Sequence, residues 1–152
     1  MLGQLYGLIL KNCLVTDYKI SFSTTKPLEA KKYLELMREL LRVDEKDFVY
    51  YLEDIQYGKD EAAVDKFKLL IPDLLSRNIY FFHRPDKSTP QLTIVYYDTS
   101  LPRVIVSLFK HFRLLQENEE FSKGFVDACF SNAEFSVEER ALVLKHSKLT
   151  PY

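Results

Sequence analysis

The sequence predicts an α+β domain in which a small, mostly antiparallel sheet is covered by about six helices. Residues 14–22 alternate apolar and polar side chains, which is the period of a half-buried strand. Residues 78–97 contain two segments rich in β-branched and aromatic side chains around a polar loop, which indicates a hairpin. Other segments repeat apolar residues every three or four positions, as helices do. We therefore expect a strand near 14–22, a hairpin at 78–97 and helices around them.

The N-terminal segment leaves two alternatives open. Residues 1–12 fit either a helix or a buried strand, because their apolar residues have helical spacing whereas Gly3 and Gly7 weaken a helix. After the strand, Ser23 and the following threonines precede Pro27, a combination typical of a helix start. An amphipathic helix is predicted from there to Leu41.

Two shorter helices are predicted before the hairpin. Asp44 is a typical helix N-cap residue, and apolar residues follow it at helical spacing as far as Ile55. The next helix begins near Asp60 and continues to about Leu75, although Pro72 must kink or tighten it.

Three further helices are predicted after the hairpin. A start signal at 98–102 opens a helix that continues to about Gln116. After an acidic break, a second helix carries apolar residues as far as Cys129. Ser136 and Glu139 have the spacing of a capping box, which predicts a last helix through Leu144.

Length and composition indicate one globular domain. The chain has 152 residues, 47% of them hydrophobic, and its 21 basic and 22 acidic residues leave a net charge of -1. This length is typical of a single domain, and the near-neutral balance excludes the strongly basic class of nucleic-acid binders. We predict a single domain over 1–152 with a loose tail at 147–152.

The sequence indicates a soluble, cytoplasmic protein with no membrane contact. No basic residue precedes the apolar N-terminus, and Lys11 and Asn12 follow it before any small-residue cleavage site, which argues against a signal peptide. No apolar run is long enough to span a membrane. Cys13 and Cys129 lie in apolar surroundings without zinc-ligand spacing, so we expect two reduced thiols.

No motif for catalysis, cofactor binding or metal binding is visible. The chain has no glycine-rich phosphate turn, no G-x-S-x-G elbow and no metal-ligand spacing. We therefore predict no catalytic residue, no cofactor and no metal. The strongest enzymatic alternative is centred on His83 at a strand end, with Asp86 or Asp98 to orient its ring.

Charge and aromatic residues suggest a binding surface. Residues 76–113 contain six basic and two acidic residues, whereas 44–65 and 114–139 each have a net charge of -6. Basic residues of such a patch attract an acidic partner, unless they pair with the acidic segments of the same chain. Exposed tyrosines are typical of protein interfaces. The predicted partner-binding residues are Tyr80, Phe82, Arg84, Lys87, Tyr97, Arg103 and Lys110.

The predicted element order loosely resembles a winged-helix domain over about residues 27–97. Three helices precede a hairpin, and Arg84 and Lys87 lie in the hairpin loop, where a wing contacts phosphates. The helix in the place of the recognition helix carries Asp60, Glu61 and other acids. The resemblance therefore implies protein binding in preference to DNA binding.

Three functional hypotheses follow. The first is a non-enzymatic protein-interaction or adaptor module that binds another protein, or itself, through the aromatic and basic hairpin. The second is a winged-helix-like regulator that binds nucleic acid through the hairpin loop. The third is a small-molecule enzyme centred on His83, which requires a concave pocket beside it.

Overall fold

The structure, a computed structural model, describes residues 1–54, 61–84, 86, 89–130, 134–136 and 141–143. The helices are α1 (Leu2–Asn12), α2 (Pro27–Leu41), α3 (Glu61–Lys68), α4 (Leu101–Lys110), α5 (Phe112–Leu115) and α6 (Glu119–Phe130). The strands are β1 (Cys13–Val15), β2 (Lys19–Thr24), β3 (Phe48–Asp54), β4 (Ile79–His83), β5 (Gln91–Tyr97), β6 (Glu134–Ser136) and β7 (Ala141–Val143). These elements confirm the α+β class. The predicted tail at 147–152 lies outside the described residues.

Five strands form one mixed sheet in the order β1-β2-β5-β3-β4, and β6 pairs with β7. β3 is antiparallel to β5 and parallel to β4. Both predicted strands of 78–97 exist, but the hairpin prediction is wrong because β3 lies between them. The pairing of both strands depends on β3, which comes from an earlier part of the chain.

The helix predicted after Asp44 is also wrong. The Asp44 side chain accepts a hydrogen bond from the Lys46 N–H (3.0 Å), but the cap opens only one 3-10 turn, and β3 follows. Phe48, Tyr50 and Leu52 are each at most 1% exposed, which is the alternation of a strand. Helical and strand spacings overlap in this segment, and its aromatic and β-branched side chains favour the strand.

The winged-helix resemblance fails with this correction. In the described residues between α2 and β5 the order is strand, helix and strand, and β4 and β5 are not neighbours in the sheet. The order of three helices and a hairpin is therefore not observed there. The segment of the third predicted helix forms α3, which ends at Lys68, and Leu74–Ser76 is a separate 3-10 turn. Pro72 lies between the two.

Other segments also differ from their predictions. The helix predicted to continue from 98–102 to about Gln116 is interrupted at His111, which separates α4 from α5. Residues 14–22 form parts of two strands, β1 and β2, because the chain bends after Val15 and the Thr16 N–H donates to the Lys19 carbonyl (2.9 Å). In place of the last helix, β6 and β7 pair with Phe135 opposite Leu142. Their cross-strand pairing overrides the local capping-box signal.

The chain divides into two compact units. Unit 1 comprises Met1–Ile20 and Asp98–Tyr152, and unit 2 comprises Ser21–Tyr97. In unit 2, α2 packs against the sheet through Tyr33. The Tyr33 ring stacks on Phe22, with ring centroids 4.1 Å apart, and also approaches Phe48. All three side chains are almost fully buried, so they belong to the core of this unit.

Close packing of α1 against α6 organises unit 1. A Cβ on Gly3 would lie 2.0 Å from the Phe121 carbonyl oxygen, and one on Gly7 would lie 2.6 Å from the Ala128 Cβ. The two glycines that weaken a helix by propensity thus allow the backbones to approach. The segment left open by the sequence is a helix for this reason.

The thiol prediction is confirmed, since Cys13 and Cys129 are both buried and form no disulfide in the described part of the chain. Burial raises the pKa of the Cys129 thiol. No helix in the described ranges has the length and apolar content that crossing a membrane requires.

Candidate functional site

Aromatic side chains cover the face of the unit 2 sheet that is opposite to Tyr50 and Leu52. Tyr51 of β3 is in register with Tyr80 of β4 and Thr93 of β5. Because side chains alternate between the faces of a sheet, Phe82 and Tyr97 point to the same side as Tyr51. We call Tyr51, Tyr80, Phe82 and Tyr97 the aromatic face.

Tyr51 connects the members of the aromatic face. Its ring centroid is 5.7 Å from the centroid of Tyr80 in a stacked arrangement and 5.7 Å from that of Phe82 in a tilted one. Its hydroxyl forms a hydrogen bond with the Tyr97 hydroxyl (3.4 Å), which raises the pKa of Tyr51 to about 12. The phenol is therefore neutral at physiological pH and offers an uncharged surface.

The aromatic face is open to solvent. Tyr80, Phe82 and Tyr97 are 51%, 48% and 51% exposed, whereas Tyr51 is half-buried between them. Three of the predicted partner-binding residues therefore lie on one surface. The sequence did not identify Tyr51 as a member, because its proximity to Tyr80 depends on the β3–β4 pairing.

β4 is the terminal strand of the sheet. In the described part of the chain it pairs with β3 on one side and with no strand on the other. Phe81, which points to the opposite face from Tyr80 and Phe82, is also 41% exposed. The strand contains no Pro, Lys or other charged residue that commonly protects such an edge.

The backbone groups of Phe81 face this open edge. The Tyr50 N–H donates to the Asn78 carbonyl (2.8 Å), and Tyr50 is in register with Ile79. In a parallel ladder, alternate residues of a strand bond to the same neighbour, so Tyr80 also directs its backbone groups towards β3. Phe81 directs its backbone N–H and C=O away from β3, towards the open edge. An added strand would form hydrogen bonds with these groups.

Not all of the predicted basic residues lie beside the aromatic face. The Arg84 guanidinium, which follows β4, lies 3.4 Å from the carboxylate of Glu53 in the adjacent strand β3. Lys87 lies outside the described residues. Arg103 and Lys110 are on α4 in unit 1, so they belong to a different unit from the aromatic face.

Arg77 forms a buried clamp in unit 2. Its guanidinium donates to the Tyr50 hydroxyl (2.8 Å), to Asp73 Oδ1 (2.8 Å) and to Glu45 Oε2. The Arg77 side chain is only 8% exposed. The hydrogen bond from Arg77 lowers the pKa of Asp73, and burial raises the pKa of Tyr50 to about 12. This arrangement holds the residues before β3 and β4 together. The positive charge of Arg77 is paired within unit 2 and is therefore not available to a partner.

Two residues of the enzymatic hypothesis, His83 and Asp98, lie at the ends of different elements. His83 is exposed at the end of β4 and in register with Asp54. Asp98 accepts hydrogen bonds from the N–H groups of Ser100 and Leu101 at the start of α4 (3.2 and 2.6 Å), so its carboxylate serves the helix terminus. Among the described side chains, no group of three or more potential ligands could hold a metal ion.

Comparison with protein-family models, with curated proteins and with solved structures gave no match.

Proposed function

We propose that this protein is a non-enzymatic binding module that accepts an extended segment of another protein as an additional strand on β4. The observation that carries the proposal is the position of β4, at the end of the sheet with Tyr80, Phe81 and Phe82 exposed. In this mode of recognition, backbone hydrogen bonds supply affinity and side chains on the two faces supply specificity.

The aromatic face favours this mode energetically. A buried Tyr or Phe removes 150–250 Å² from water, so covering the exposed half of one ring contributes on the order of 2 kcal/mol. These rings lose little rotamer freedom on binding, because Tyr51 already holds Tyr80 and Phe82 in contact. The partner segment therefore carries apolar side chains at alternate positions.

We place this function in the cytoplasm. The support is the chemistry of the thiols, since two buried cysteines that form no disulfide in the described residues are typical of proteins from a reducing compartment.

The decisive variant is Phe81→Pro, with Phe81→Ala as its matched control. Both variants remove the ring, but only proline removes the N–H that faces the open edge, and proline is tolerated on edge strands. We expect Phe81→Ala to retain partners that Phe81→Pro loses. Affinity capture from the native host, followed by binding measurements with the captured protein and each variant, tests this.

Three further results decide the outcome. Equal retention by the two variants, with unchanged melting temperatures, would contradict strand addition. The affinity of a partner bound through β4 should fall only weakly as the salt concentration rises. Phosphate contacts behave differently: on duplex DNA, a plot of log affinity against log salt concentration has a slope of about -0.9 per contact. Sedimentation of the isolated protein shows whether a second copy of this chain supplies the added strand. Self-association through β4 would contradict the proposal that the strand comes from another protein.

A further inference from the structure

Unit 1 contains a cleft that the proposed function does not use. Its volume is about 260 Å³, and it lies between the bend after β1 and one face of α4. A water molecule takes up about 30 Å³ in the liquid, so the cleft has the size of roughly nine waters. That volume suits a ligand much smaller than a peptide.

One wall of the cleft is basic. Arg103, Ser107 and Lys110 line it from α4, and their spacing of four and three residues places them on one helix face. Pro102 and Val106 supply apolar surface, and apolar atoms form the larger part of the lining. Both cations are exposed, and no carboxylate of the described residues forms an ion pair with either of them. Their charges are thus available to an anion.

The opposite wall is polar and acidic. Thr16 and Asp17 line it, and the Thr16 hydroxyl donates to the Lys19 carbonyl (3.4 Å), which leaves its oxygen free to accept. Asp17 is exposed. The cleft therefore presents two cations on one side and hydrogen-bond acceptors on the other.

We propose that this cleft binds a small phosphate monoester that also carries hydroxyl groups. The phosphate has a charge of about -1.5 to -2 at pH 7, which Arg103 and Lys110 together match. The hydroxyl groups donate to Asp17 and Thr16. A bare phosphate lacks those donors and meets the Asp17 carboxylate unfavourably, so the two walls together select the ester.

The test is titration of the ¹⁵N-labelled full chain with glycerol 3-phosphate, inorganic phosphate and glycerol, followed by NMR. We expect saturable shifts at residues 16–17 and 103–110 with glycerol 3-phosphate, and weaker binding of the other two probes. Arg103→Gln and Lys110→Gln should each weaken binding about fivefold, the scale of an exposed charge contact. Lys123→Gln, which removes an exposed cation from α6, should change nothing.

Asp17→Asn provides the sharper test. This variant removes a charged acceptor for the hydroxyl groups, which only glycerol 3-phosphate has, and it removes a repulsion from the phosphate, which both ligands have. The affinity for glycerol 3-phosphate should therefore fall relative to the affinity for inorganic phosphate. Absence of saturable shifts, equal affinity for the ester and inorganic phosphate, or an equal effect of Lys123→Gln would each overturn the proposal. Melting temperatures close to that of the unsubstituted protein establish that the variants are folded.

Discussion

Tyr6 shows how a single buried hydroxyl affects stability. The residue is 2% exposed, and its ring contacts those of Phe109 and Phe121. Among the described residues, its hydroxyl has no hydrogen-bond partner, and burial raises its pKa to about 12. An unpaired buried hydroxyl is unfavourable because it has left water without compensation.

We expect Tyr6→Phe to stabilise the protein by about 1 kcal/mol, the scale of a buried polar group without a partner. The free energy of unfolding in urea measures this. Tyr50→Phe is the matched control, because the Tyr50 hydroxyl bonds to both Arg77 and the Glu45 carbonyl, and we expect it to destabilise. A loss of stability in Tyr6→Phe would show that the hydroxyl has a partner.

Gly3 allows a second comparison at a single position. We expect Gly3→Ala to destabilise by about 2 kcal/mol, the scale of overpacking, despite the better helix propensity of Ala. The reason is that the new methyl would meet the Phe121 carbonyl oxygen of the backbone, at 2.0 Å. Gly124→Ala is the control, since its nearest neighbours lie at 3.2 Å and include the flexible Gln4 side chain. Equal thermal stability of the two variants would contradict the close approach of α1 and α6.

Asp73 links the Arg77 clamp to pH. Its folded-state pKa is lowered, so the contribution of its carboxylate is present above the unfolded pKa, near 3.9, and is lost as pH falls through the folded value. We expect the unsubstituted protein to exceed Asp73→Asn in stability at pH 6 and the difference to disappear at about pH 2. Urea titrations across this range measure it. Asp65→Asn, which removes another exposed carboxylate of the same unit, is the control for a change of charge alone.

At the scale of elements, agreement between local signals decided which predictions succeeded. α2 has its helical period and Pro27 in the first turn, and it forms as predicted. α4 begins as predicted, with its helical period and Asp98 at its start, but it ends at Lys110 and not near Gln116. β4 and β5 were predicted as strands from β-branched and aromatic residues. In these segments no alternative period competes.

Strand pairing could not be predicted, because it depends on residues far apart in the sequence. Local patterns place 79–83 next to 91–97, but β3 pairs with both. The same reason explains the site. Tyr80, Phe82 and Tyr97 were predicted by residue type, whereas Tyr51 and the Glu53 partner of Arg84 were not.

At the scale of the whole molecule, the charge segments partly neutralise one another within unit 2. Arg77 pairs with Glu45, and Arg84 pairs with Glu53, so cations of the segment 76–113 contact acids of 44–65. The alternative that basic residues pair within the chain therefore holds for these two. The surface offered to a partner is consequently more aromatic than basic.

The chain order of the two units has a consequence for synthesis. Unit 2 lies within the sequence of unit 1, whose first helix packs on α6. All of Ser21–Tyr97 is synthesised before α6, and at 5–20 residues per second the next 33 residues take about 2 to 7 s. During that interval the glycine side of α1 has no α6 to cover it, and the nascent chain is most open to chaperones.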